Sequence, residues 1–236
     1  MIQLRQSDIR NRLLGALAPE DFAGLAWALE RVPLHLQDTL IGVDQPLSHA
    51  YFVETGLVSL VATTEGGRIE IGLVGAEGLA GVPLVLGTDR GPFLGIVQGG
   101  GEALRIRAAD LREALQASPG LRGVLGRYVL SLMIQTGYTV YASATLNVEA
   151  RLARWILMTH DRLDSEEMPL TQDFMAMMLG VRRTGVTAAL YVLTGAGMVR
   201  ASDGRITVLD RDRLRELAGD TYGPAEAQYE RLLAEA

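Results

Sequence analysis

The chain has no cysteine and no lysine, only three histidines, and 6% aromatic residues among its 236. Without cysteine there is no disulfide, no thiolate zinc site, no cysteine-held iron–sulfur cluster and no cysteine nucleophile. His35, His49 and His160 are scattered without metal-ligand spacing, so each is read as structural or superficial and no metal is expected. No apolar run approaches the roughly 20 residues that cross a bilayer. Met1-Ile2-Gln3-Leu4-Arg5 lacks the charged-then-apolar order of a secretory leader, so a cytoplasmic protein with no membrane partner is expected. A Gly-Lys-Ser phosphate loop, a Gly-x-Ser-x-Gly elbow and paired His ligands are all missing, which argues against an enzyme and implies no cofactor.

The formal charge of −6 argues against indiscriminate polyanion binding, because affinity for phosphate backbones needs clustered cations. Local charge differs. Arg182, Arg183, Arg200 and Arg205 face a single acid, Asp203, in that window. All basic residues being arginine suits bidentate contacts to phosphate and guanine, although a genome-wide compositional bias explains a lysine-free chain more simply.

What is present is apolar content, 48% of residues, enough for two ordinary cores. The most informative stretch is 170–209. Leu170-Thr171-Gln172-Asp173 opens a helix with a Thr cap and a first-turn acid. Gly180 closes it where the chain needs a positive φ, and a second helix restarts after Val181. Val186, Leu190 and Leu193 share one face of that second helix. Arg183, Thr184, Thr187, Ala188 and Tyr191 form an opposite arc, small, polar and cationic, as a major-groove surface must be. A short hairpin around Asp203-Gly204 follows. Helix, glycine turn, helix, hairpin is the order of a winged helix-turn-helix, which points to sequence-specific recognition of double-stranded DNA.

Upstream, 7–30 reads as amphipathic helix with Trp27 among its apolar positions. From 32 to 107 short β-rich runs (Tyr51-Phe52-Val53, 57–61, 69–73) alternate with glycine turns, the texture of a small antiparallel barrel or roll. A helix is expected at 108–117, and Pro119 can open the next. Along it, Leu121, Leu125, Tyr128, Leu132, Gln135, Thr139, Ala142 and Leu146 alternate spacings of four and three. Such a seam belongs to a helix packed lengthwise on another. A core helix on its own β-domain is the plainer alternative; the polar Gln135 and Thr139 favour a dimer helix, with Leu121, Leu125, Tyr128 and Leu132 as dimerisation residues. Asn147 caps a further helix to about 160, leaving a hinge near 145–147, and 210–217 and 225–234 read as two short helices.

Over nearly its full length the chain resembles the Crp/Fnr family of bacterial transcription regulators. The resemblance is carried by Leu170-Thr171-Gln172-Asp173 through Leu179-Gly180-Val181, by Val186, Leu190 and Leu193, by Gly204-Arg205-Ile206-Thr207-Val208, and more weakly by Tyr51-Phe52-Val53-Glu54-Thr55-Gly56. It implies an α+β fold: an N-terminal β-roll (jelly-roll) like cyclic-nucleotide-binding domains with flanking helices (1–118), a dimerisation helix and hinge (119–146), and a C-terminal winged helix-turn-helix (147–236). By resemblance Thr171 and Gln172 touch the DNA backbone and Arg183 reads guanine, with Arg182, Thr184, Gly185, Thr187 and Arg205 in the same interface. The chain departs from the family pattern at Thr184 and Ala188, where Glu and Arg are common, and at Gly185, where Thr is common, so its target sequence differs from that of the best-known members.

Cyclic-nucleotide-binding relatives use a Gly-Glu pair and a following Arg. Here Gly75-Ala76-Glu77-Gly78 interrupts the pair, Arg90-Gly91 follows late, and Pro83 and Pro92 reshape the loop. Glu77, Arg90, Gln135 and Thr139 are the candidate effector contacts in a domain that is otherwise degenerate for that ligand. The expected partners are DNA, a second copy of the chain, RNA polymerase and a small-molecule effector. The alternative reading is a ligand-binding β-roll whose C-terminal module contacts protein instead of DNA.

Overall fold

The computed structural model describes residues 4–163 and 165–235; the first three residues of the N-terminal stretch read above, and the outer ends of the expected domains, lie outside them. The fold is α+β. A 3₁₀ turn (Gln6–Asp8) and two short helices, α1 (Arg12–Gly15) and α2 (Pro19–Ala26), lead into β1 (Glu30–Leu34) and β2 (Thr39–Ile41). Where a single amphipathic segment was expected at 7–30, Asn11 and Pro19 each begin a new helix, and Trp27 is 66% exposed rather than in the core.

Two long strands, β3 (His49–Thr64) and β6 (Phe93–Arg107), pair antiparallel along their whole length. With β4 (Gly67–Val74) and β5 (Leu79–Ala80) they form one sheet in the order β1-β6-β3-β4, with β2 on β6 and β5 on β3. The register slips between Val53 and Val58, where Gly56 sits at φ 86° and a Cβ would lie 2.5 Å from the Gly99 carbonyl. Only glycine fits there, and the bend it allows curls the sheet into a roll. Short α3 (Val82–Val85) and α4 (Ala108–Ala117) flank it, and Phe52, Leu79, Leu104, Ile106 and Leu111 fill its core.

Ser118 then caps α5 (Pro119–Thr145). Its expected partner seam is turned inward: Leu121, Leu125 and Tyr128 are buried in the core of the chain's own roll. The polar positions have a local reason. β4 is an edge strand, and the Gln135 amide accepts from Leu73 N at 2.7 Å and donates to Leu73 O at 3.2 Å, while the Thr136 hydroxyl donates to Ile71 O at 3.0 Å. Side chains of α5 thus satisfy backbone groups that an edge leaves open. Leu121, Leu125 and Tyr128 are therefore not available to a partner, and half-buried Leu132 lies beside Gly72 of β4.

After Leu146, which is extended, Asn147 caps α6 (Val148–His160) by accepting from Ala150 N at 2.9 Å. Then come β7 (Glu167–Pro169), α7 (Gln172–Leu179), α8 (Arg183–Gly195), the hairpin β8 (Val199–Ser202) and β9 (Arg205–Val208), α9 (Arg211–Ala218) and α10 (Pro224–Ala234). The second core joins α6, α7 and α8 to Leu57, Val61 and Leu73 of the roll, so this module rests on the outer face of β3 and β4. α10 does not stay with it. Tyr229 enters the first core and donates to Glu77 O at 2.9 Å, and Arg12 holds Glu230 through two hydrogen bonds of 2.8 and 2.6 Å. Among the described residues no helix is long and apolar enough to cross a membrane.

Candidate nucleic-acid interface

The turn between α7 and α8 follows from local chemistry. Thr171 accepts from Phe174 N at 3.2 Å, and Gly180 ends the helix at φ 62°. Gly180 also lies against β4, where a Cβ would come within 2.8 Å of Ile69 Cδ1. A side chain there would be strained and would also push the module off the roll. Val186, Ala189, Leu190 and Leu193 bury one side of α8. The opposite side, Arg183, Thr184, Thr187, Ala188 and Tyr191, is exposed, with Tyr191 at 82%. Gly185 needs no special backbone: its φ is ordinary and an added Cβ would meet nothing within 4 Å.

The Thr187 hydroxyl lies 2.7 Å from Gln172 Oε1 and 3.1 Å from the Arg183 carbonyl, which ties the start of α7 to α8. Gln172, Gly204 and Arg205 line a shared cleft of about 110 Å³ between α7 and the hairpin. β7 adds a third strand to that hairpin, in the order β7-β9-β8, an element without a distinct sequence signal because it is three residues long. Asp203 and Gly204 take φ of 50° and 72° at its tip. The free arginines are weakly occupied: Arg183 lies 3.4 Å from Asp173, and Arg205 lies 3.9 Å from Glu167, all four side chains more than half exposed. Exposed pairs of this kind hold by about 0–1 kcal/mol. A phosphate or a guanine edge can displace the carboxylate at little cost. Arg182 and Arg200 are exposed on the same module.

The expected effector residues do not converge. Glu77 is bound by Arg162 at 2.6 Å and by Gly75 N at 3.1 Å. Arg90 is turned away, donating to the Asp44 carbonyl at 2.9 Å on an exposed loop. Gln135 is committed to Leu73, and Thr139 accepts from Arg154 at 3.2 Å beside a separate, much smaller cleft. Each charge is engaged locally instead: Glu77 by Arg162 and the Gly75 amide, Arg90 by the Asp44 carbonyl. Glu77 and Gln135 do line one open cavity of about 280 Å³, together with Tyr128, Arg162 and Tyr229. Burial pushes the Tyr128 and Tyr229 phenols well up, so both remain neutral donors. Arg162 and Tyr229 lie 85 and 152 positions from Glu77 and carry no local motif, which is why sequence reading missed them.

Residues 150–217 match the Crp-like helix-turn-helix domain. The transcriptional regulator SdrP of Thermus thermophilus is 28% identical over 184 residues, covering 75% of this chain and 87% of that protein. Among solved structures, a Crp/Fnr transcriptional regulator from Thermus thermophilus superposes with a TM-score of 0.66 at 24% identity, covering 80% of this chain and 98% of that one. FixK2 from Bradyrhizobium japonicum gives a TM-score of 0.67 at 18% identity, covering 81% and 98%. These likenesses reproduce the fold from the roll through α5 to the C-terminal module, and residues 150–217 of the chain form a Crp-like helix-turn-helix domain like that of these transcription regulators.

Proposed function

We propose that the chain regulates transcription as a homodimer on an inverted-repeat operator, with α8 in the major groove and the β8–β9 hairpin on the phosphate backbone. The observation that carries the dimer is the outer face of α5. Gly126, Leu130, Met133, Gly137, Val140 and Ala144 alternate spacings of four and three and are all exposed. This is a self-complementary seam along a helix of about 40 Å. At Gly126 and Gly137 an added Cβ would meet open space, so a second helix can approach closely. This seam lies on the side of α5 opposite the one first read, which is turned into the roll.

Two-fold symmetry about α5 places two reading helices for half-sites about one helical turn apart. The three units at 1–118, 119–146 and 147–236 then serve as sensor, dimer helix and reader, with α10 as a strap from reader to sensor. In this reading the roll takes no cyclic nucleotide through Glu77 and Arg90. Selection of bound sequences from a random duplex pool tests the proposal. Enrichment of an inverted repeat, with affinity that falls steeply as salt rises, supports it; no enrichment and no salt dependence favour a protein-binding module.

A further inference from the structure

The reading face of α8 is unusual for what it omits. Across Arg183, Thr184, Thr187, Ala188, Tyr191 and Val192, the exposed residues from its start, there is one guanidinium and no carboxylate or carboxamide. Base edges are distinguished in the major groove by particular partners: Asn or Gln for adenine, Asp or Glu for cytosine, Arg for guanine, and apolar groups for the thymine methyl. The adenine and cytosine readers are missing. Gln172, the neighbouring amide, has its oxygen committed to Thr187 at 2.7 Å. The Thr187 hydroxyl is turned toward Gln172 and the Arg183 carbonyl, where its one proton is used, so what it adds to the surface is mainly its methyl group. Thr184 contributes a second methyl, Ala188 a third, and Tyr191 a ring at 82% exposure one turn further on. The spacing 184, 187/188, 191 runs these groups along a single stripe of the helix.

Resting on the DNA-reading assignment above, we infer that Thr184, Ala188 and Tyr191 read C5-methyl groups of thymine, so each half-site consists of a guanine read by Arg183 beside thymines recognised through their methyls. Apolar contact with a methyl needs no buried polar partner, and a face without free amides or carboxylates incurs no penalty for leaving them unpaired over an A·T pair.

The test uses the full-length protein and the duplex it selects from a random pool. Each thymine of one half-site is replaced in turn by deoxyuridine, which removes only the methyl, and affinity is read by fluorescence anisotropy at fixed salt. Loss of about fourfold per contacted methyl is expected, the factor that burial of one methyl-sized group is worth. Thr184→Ser and Tyr191→Ala should each abolish the uracil penalty at one position and leave the guanine preference intact. Uracil tolerated at every position by the wild-type protein overturns the inference even where an operator has been selected, and needs no variant to fold. Failure to select any operator would instead remove the DNA-reading assignment on which it stands.

Discussion

The indole N–H of Trp155, on α6, donates to Glu70 Oε1 of β4 at 2.7 Å, a buried hydrogen bond that joins the C-terminal module to the roll. The other carboxylate oxygen lies 2.6 Å from the Ser59 hydroxyl, which also meets Gln98 Oε1. One hydroxyl proton cannot serve both acceptors. Two arrangements resolve this: a protonated Glu70 donates to Ser59, whose own proton goes to Gln98, or the Gln98 amide is turned so that its NH₂, which otherwise has no partner, donates to Ser59 while Ser59 donates to the carboxylate. Burial drives the Glu70 carboxyl up from 4.5 to about 7, against the opposing pull of Ser59, Trp155, Arg162 and Arg154.

Stability should therefore depend on pH through this residue. A carboxyl whose folded pKa is raised stabilises below its unfolded pKa, and that contribution is lost as pH climbs from 4.5 to about 7. Glu70→Gln, neutral at every pH, should gain about 2–3 kcal/mol relative to wild type between pH 5 and pH 8. Urea unfolding of both proteins at the two pH values measures this. An unchanged difference would show that Glu70 stays ionised in the fold.

The two faces of α5 should respond differently to charge. Leu130→Asp with Met133→Asp should give a folded monomer by light scattering at micromolar concentration, because both side chains lie on the exposed seam. Leu125→Asp should instead unfold the roll, at a cost above about 4 kcal/mol, since it leaves a charge in a core position that is fully buried. A dimer that survives the double substitution contradicts the seam.

Cyclic AMP should not raise the melting temperature, because a ligand stabilises only a state that binds it. The carboxylate that would meet the ribose is held by Arg162, and Arg90 is directed at Asp44. A clear rise in Tm with cyclic AMP, lost in Arg90→Ala, would show that the loop rearranges to rebuild the pair.

Gly185→Ala should stabilise the fold by about 0.5–1 kcal/mol, because an alanine Cβ meets open space and alanine is the better helix former. If α8 meets DNA closely at its first turn, the same substitution should weaken operator binding while Tm rises. Calorimetry and anisotropy on one variant separate the two effects.

Arg205→Ala should weaken binding to all sequences alike and lower the salt slope by about one unit per arginine, since Arg205 follows the hairpin tip and has only a 3.9 Å contact to Glu167 to lose. A change in base preference would place it on a base edge instead.

The local parts of this molecule were legible in the chain, and the long-range parts were not. Caps at Ser118, Asn147 and Thr171, the left-handed Gly180 and the Asp203-Gly204 tip are decided within four residues, and all were open to local reasoning. The orientation of α5 was not. Its inner and outer faces both carry a four-three spacing, and only the open edge of β4 decides that Gln135 turns inward. The return of α10 to the roll likewise depends on Arg12 and Glu230, 218 positions apart.

The central claim, that α8 reads DNA through Arg183, is tested most directly by a double-mutant cycle on the selected operator. One arm is Arg183→Ala; the other replaces the guanine assigned to it by 7-deazaguanine, which lacks only the N7 acceptor. Each change alone should cost about 1.5–3 kcal/mol, the value of a hydrogen bond to a charged group, and the second should cost nothing once the first is made. Additive losses, measured by anisotropy at fixed salt, would contradict the assignment.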